Sequence, residues 1–314
     1  MPGGVINSTI CPSGICSPGR YYATTTQSCG SNCTQQVASG DPLVVSGTVH
    51  FAACSGCNPT SSFGGYMFFG GLTSSGGGAN VTFDPGVYVF AGVKPANNNT
   101  PGAVLNTATG LNLQDYSTST GPNTVDAGEL FIFTGVNAAG SFSYPGLASQ
   151  VPSAVAANAS LFQMGTVSFN SGNNGTTINL HGLNPQHSLI RGTSLETFGP
   201  SLIWQDQANS SVKYDSSGHV DYTSCGSGYT LDSPCTNTLS KNGSPELGIQ
   251  ASPNIHLYGY LYQPRGAWTT LQGGGGYSGA LKLITGALSV QGNANIDMLG
   301  LASPVTRTVV SLIE

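Results

Sequence analysis

The chain has 314 residues, room for one large β domain or two ordinary ones, and only 7% of them are charged. Its net charge is −5 and its eight lysines and arginines are scattered singly, so no basic patch exists to hold phosphates and nucleic acid is excluded as a partner. Glycine reaches 45, yet aromatic and β-branched residues are plentiful, the opposite of a disordered composition. Neutral polar positions with abundant glycine suit an extracellular β protein better than a cytosolic enzyme. No apolar run approaches the length of a membrane span. The start at Met1-Pro2-Gly3 carries no secretory signal, and is read as that of an exported chain whose signal or anchor has been removed.

Residues 1–60 are turn-rich and hold Cys11, Cys16, Cys29, Cys33, Cys54 and Cys57; Cys225 and Cys235 stand apart. An even count with short spacings predicts disulfides of an oxidising compartment, paired by proximity as Cys11–Cys16, Cys29–Cys33, Cys54–Cys57 and Cys225–Cys235. Zinc at Cys29, Cys33, Cys54 and Cys57 is the competing reading, but it leaves the other four without roles.

A strand is expected over 43–51. Ser17-Pro-Gly-Arg-Tyr-Tyr22 and Asp84-Pro-Gly-Val-Tyr-Val89 form an internal repeat in which Pro-Gly turns the chain and an aromatic strand follows into the core. Short aromatic strands are expected over 66–69 and 129–134, with glycine- and asparagine-rich loops over 70–78 and 97–102. Further strands are expected over 166–169, 177–181, 189–191 and 202–204, and one short helix over 148–161. Residues 205–250 are polar and break the rhythm, as a disulfide-pinned insertion would. Alternation resumes at Ile255 and persists from Ile284 to Met298, bending at Gly286 and Gly292, before a last strand over 305–313. Val45-Ser-Gly47-Thr-Val49, Leu257-Tyr-Gly259-Tyr-Leu261 and Ile284-Thr-Gly286-Ala-Leu288 repeat one apolar-x-Gly-x-apolar unit, expected to stack in register.

The expected fold is all-β: a right-handed β-solenoid, or β-helix, over 61–314, with a disulfide-stapled cap over 1–60 and the insertion at about 205–250. A β-sandwich is the alternative, since short strands with many turns also fit it.

Chemistry is sparse. Gly274-Gly-Gly276-Tyr-Ser-Gly279 has the letters of a dinucleotide loop, but strand, not helix, is expected after it. No Gly-x-Ser-x-Gly elbow or His-Glu-x-x-His helix occurs. Asp84, Asp126 and Glu129 are the best trio for a polysaccharide-cleaving pair, against the plainer reading of turn carboxylates. His181 and His187 are a weak metal pair. No catalytic residue and no cofactor are expected. Tyr258, Tyr260 and Tyr262 alternate with leucine and glycine, so they share one outer face, which Trp268 can join as a platform for sugar rings or a partner protein. The alternative is that the insertion folds over and buries them.

Asp84–Phe90, Leu202-Ile-Trp-Gln-Asp206, Leu257-Tyr-Gly-Tyr-Leu-Tyr-Gln-Pro264, Leu288-Ser-Val-Gln-Gly-Asn293 and the ending from Val309 to Glu314 resemble the C-terminal region of TadG-like proteins of bacterial tight-adherence (Flp-type) pilus systems. The likeness covers most of residues 80–314. It implies a non-enzymatic structural or adhesive role at the cell surface, with surface glycans or other envelope and pilus proteins as partners and self-association open. The Pro-Gly-x-Tyr and Gly-Asn-Ala segments are also similar, more weakly, to those of bacterial ice-binding β-solenoids, which use a flat repeated Thr/Ala/Ser face. A secreted polysaccharide-active enzyme is the opposing class.

Overall fold

The computed structural model describes residues 5–6, 10–30, 33–53, 65–74, 78–95, 102–115, 127–136, 141–142, 144, 147–170, 175–187, 190–206, 247–250, 255–263, 269–273, 281–285 and 288–292. The fold is all-β, and the chain visits three faces in a fixed order. The first circuit is β1 (Val5–Ile6), β2 (Ile15–Cys16) and β3 (Arg20–Tyr22), followed by an antiparallel hairpin of β4 (Thr24–Gly30) and β5 (Cys33–Ala38). The second is β6 (Leu43–Val45), β7 (Thr48–Phe51) and β8 (Tyr66–Phe69), and the third is β9 (Leu72–Ser74), β10 (Ala79–Phe83) and β11 (Gly86–Phe90). Then come β12 (Ala103–Asn106), β13 (Leu111–Asp115) and β14 (Glu129–Phe133), and next β15 (Thr166–Phe169), β16 (Ile178–His181) and β17 (Ser201–Gln205). In the sixth circuit β18 (Leu247–Gln250) precedes β19 (Ile255–Gln263), one long strand that turns the corner between two faces. β20 (Thr269–Gly273), β21 (Leu281–Thr285) and β22 (Leu288–Gly292) end the described stack.

Outside that hairpin, each strand pairs in parallel with a counterpart one circuit away. Face one is therefore an eight-stranded sheet in chain order. Faces two and three form a twelve-stranded sheet, curled because β19 pairs with β16 through its first half and with β17 through its second. This is solenoid-like stacking, in which each coil touches only its neighbours.

Inside the stack, like residues lie above like at about the strand spacing of 4.8 Å. Tyr21, Phe68, Phe90 and Phe133 occupy one inward column of face three. Phe68 and Phe90 are 5.1 Å apart, and Phe90 and Phe133 are 5.0 Å apart. A second apolar layer lies outside face three, where Met67, Phe69, Leu130 and Ile132 pack with Leu147, Val155 and Phe162. With both sides buried, β8 and β14 read as continuous apolar runs and not as alternating ones.

Several expectations needed correction. The segment 43–51 is two strands on different faces, separated by Ser46 and Gly47, because Gly47 at φ +74° turns the chain. The apolar-x-Gly-x-apolar units do not stack on one another: they fall at three different corners, between β6 and β7, within β19, and between β21 and β22. The predicted helix is only Ser153–Ala156, flanked by 3-10 turns Ala148–Gln150 and Ala159–Leu161, since Pro152 interrupts it on one side and non-helical Asn158 on the other. Ile190 and Arg191 lie in a turn leading to the 3-10 helix Ser194–Phe198, and the supposed loop 70–78 contains β9.

The Pro-Gly repeat builds the corner into face three. Tyr21 donates its hydroxyl to the Ser17 carbonyl, and Tyr88 donates to the Asp84 carbonyl at 2.5 Å, the same bond to the residue before proline. The Tyr66 hydroxyl lies 2.7 Å from both the Cys16 and the Ala52 carbonyl oxygen, which share its one hydrogen. Burial pushes the Tyr21 hydroxyl up to about 12 and raises Tyr66 and Tyr88 well above the usual phenol range, with Asp84 adding to both of the latter. A folded-state pKa above the unfolded value of 10.0 contributes stability that is complete below pH 10 and is lost as pH rises from there through the folded values. Melting temperature should thus hold up to pH 10 and fall steeply above it. The fall between pH 10 and 11 should be smaller in Tyr21→Phe than in the parent, and an equal fall would refute the assignment.

Candidate functional site

Strand β19 alternates fully buried with half-buried residues along its whole length, which sends Tyr258, Tyr260 and Tyr262 outward and Leu257, Gly259 and Leu261 inward. The strand crosses the corner at Gly259, where φ is +128°. Neighbouring-coil hydrogen bonds fix the bend: Gly182 N–H donates to the Tyr258 carbonyl at 2.7 Å, and Tyr260 N–H donates to the Pro200 carbonyl at 2.8 Å.

Each tyrosine ring has a neighbour against it. Tyr258 stacks on the His181 imidazole at 4.3 Å with planes 1° apart. Tyr262 stacks on Trp204 at 6.1 Å, and Trp204 is itself wedged edge-on by Tyr144 and Phe198 at 5.7 and 5.6 Å. Lys282 Nζ lies 4.9 Å from the centre of the Tyr260 ring, a cation–π contact. The row is thus a ladder seated on the preceding coil and topped at Tyr260 by the next one. It is braced, half-buried and only partly open. Burial, with the Asp206 carboxylate adding, pushes the Tyr144 hydroxyl behind it up to about 12. Trp268, the fourth expected member, and residues 207–246 of the insertion expected over about 205–250 lie outside the described residues, while Gln205 ends β17 and Leu247–Gln250 is β18.

Two histidine–carboxylate pairs lie on face two, one beside this row and one several coils away. His181 Nδ1 meets the carboxylate of Asp115, which is buried at the end of β13. His50 Nε2 lies 2.6 Å from Asp84 Oδ1, while Asp84 Oδ2 accepts from Ala53 N–H at 2.5 Å. Of the expected acidic trio, Asp84 and Glu129 both act on the Tyr88 hydroxyl, and Asp126 lies outside the described residues. His187 lies in a turn with its N–H on the Asn184 carbonyl, and among the described residues no group of three His, Cys, Asp or Glu is placed to hold a metal. Cys11 and Cys16 form the predicted disulfide, buried in the first coil. The other six cysteine side chains lie outside what is described.

The open flank beside Tyr258 is the outer side of face two. Thr48, Asn80 and Asn112 form one column in register, and Thr177 extends it. Ile15, His50, Thr82, Gln114, Asn179 and His256 form a second, polar in every coil after the exposed Ile15. Asn112 donates its amide to Asn80 Oδ1 at 3.0 Å and accepts from Thr177 N–H at 2.7 Å. Sequence reasoning missed the Asp115–His181 pair and these columns, since partners 66 residues apart meet only through the register of β13 and β16.

The architecture places the chain among all-β proteins built as a solenoid-like stack of parallel coils. No family model, no curated protein and no solved structure matches the chain.

Proposed function

We propose that this chain is a non-enzymatic structural and adhesive protein of a bacterial cell surface, exported and associated with tight-adherence pili, as its resemblance implies. Its frame is a right-handed β-solenoid whose N-terminal end is a cap stapled by disulfides, of which Cys11–Cys16 is one. The observation that carries the reading is the row Tyr258, Tyr260 and Tyr262, held outward on a rigid strand and partly exposed. Aromatic side chains with polar tips are the groups that anchor adhesive contacts.

A polysaccharide-cleaving reading would use a pair of carboxylates across a groove. Here Asp84 and Asp115 are engaged by histidines, and buried Asp206 accepts from the Thr134 hydroxyl at 2.7 Å, so binding is favoured over cleavage. An ice-binding reading would use a repeated Thr/Ala/Ser surface, whereas the columns of face two hold histidine, asparagine and glutamine as well.

Tyr260→Ser tests the proposal. Loss of one aromatic anchor, worth about 0.5–1.5 kcal/mol, should weaken retention on bacterial cell surfaces by roughly two- to twelvefold. The melting temperature should stay within about 2 °C of the parent, because the residue points out of the core. Unchanged retention, or a loss that only follows unfolding, would defeat it.

A further inference from the structure

We propose that the outer side of face two, with Tyr258 at its margin, binds one extended, uncharged polysaccharide chain lying along the axis of the stack. This rests on the adhesive reading above and names the ligand class.

Four observations lead there. The first is periodicity: hydroxyls, amides and imidazoles recur in two parallel columns, one set per coil, at about 4.8 Å. A polymer that repeats hydroxyl groups along its length can meet the same donors and acceptors coil after coil. The second is preorganisation, since the hydrogen bonds of Asn112 to Asn80 and to the Thr177 N–H hold its amide before any ligand arrives. Little side-chain freedom then remains to be lost on binding.

The third is charge. The carboxylates bordering the columns are Asp84, held by His50 and Ala53 N–H, and Asp115, buried against His181. The columns themselves carry no Asp, Glu, Lys or Arg, so the surface offers a polyanion or a polycation no complementary field. The fourth is polarity. A protein partner would call for an apolar or aromatic centre, and past the exposed Ile15 of the first coil face two presents amides, hydroxyls and imidazoles, with one aromatic stack, Tyr258 on His181, at its edge. That edge suits the C–H face of a sugar ring. Face three cannot serve the same way along its length, because residues 147–162 pack on the outer side of β8, β11 and β14.

The test uses the full chain, retained on immobilised cellulose, mannan and dextran as neutral polymers and on polygalacturonate as an acidic one. At least one neutral polymer should retain the parent equally at about 0.05 M and about 0.5 M salt, since no charges need screening. Soluble oligomers of that polymer should compete better with length until they span about 19 Å, the rise across five strands. The double variant Thr82→Ala/Gln114→Ala, both outward and in adjacent coils, should weaken retention at least tenfold with its melting temperature unchanged. If Tyr260→Ser abolishes retention and the double variant does not, the tyrosine row alone binds and face two is refuted while the adhesive reading stands. Retention only on polygalacturonate, or strongly salt-dependent retention, overturns the ligand class. So does retention on no polysaccharide by a protein that still adheres to cells. Failure to adhere to cells, in contrast, removes the adhesive reading itself.

Discussion

Phe131→Ala should lower stability by about 3–5 kcal/mol, the usual loss when a buried phenylalanine leaves a cavity. Phe131 is fully buried on β14, in the fourth of the described coils, with Phe83 at 5.1 Å, Tyr88 at 5.5 Å and Phe90 at 6.0 Å. These neighbours sit on β10 and β11 of the coil before, so their strands are held at about 4.8 Å by the sheet hydrogen bonds and cannot close over the gap. At roughly 2–4 °C per kcal/mol for a chain of this size, the melting temperature should drop by about 6–20 °C. In a stack where each coil touches only its neighbours, a central defect also severs the propagation of order from both sides. Leu288→Ala, on the last described strand and 47% exposed, should therefore change it by less than about 2 °C. Thermal unfolding followed by circular dichroism compares the two, and equal effects would contradict the stacked architecture.

How much of this was visible in the sequence depends on which side of each strand is buried. β19 has one side in the core and one outside, so alternation placed its three tyrosines correctly. The Pro-Gly-x-Tyr repeat foretold a corner and an aromatic strand because the same hydroxyl-to-carbonyl bond forms at Tyr21 and Tyr88. β10 and β13 escaped notice because each has only five residues and its outward positions are Asn80, Thr82, Asn112 and Gln114, residues that also mark loops. β9 was hidden in a glycine-rich segment for the same reason. The site depends still more on register: Trp204 lies in an expected strand, but that it would stack on Tyr262 follows only from the pairing of β17 with β19.

The glycines show the same limit at the level of one residue, and Gly259→Ala should expose it. Gly47 and Gly259 occupy the same place in the apolar-x-Gly-x-apolar unit, and both have positive φ, +74° and +128°. Around Gly47 an added Cβ meets nothing within 4 Å, so Gly47→Ala should cost only the backbone strain of a left-handed residue, about 1–2 kcal/mol. At Gly259 the same atom would fall 2.7 Å from the Pro200 carbonyl oxygen and 3.2 Å from the Cα of Gly182. Both obstacles are backbone of the preceding coil, and Pro200 O is the acceptor for Tyr260 N–H. Relief requires the coils to part at this corner, breaking that bond, so Gly259→Ala should be destabilising by about 4 kcal/mol or more, among the large single-residue effects. The same displacement shifts Tyr258 and Tyr260 relative to His181 and Lys282, so retention on cell surfaces should fall even at temperatures where the protein remains folded. Denaturant unfolding of both variants gives the comparison. If Gly259→Ala proves no more harmful than Gly47→Ala, the close approach of the fifth and sixth coils beneath the tyrosine row is wrong.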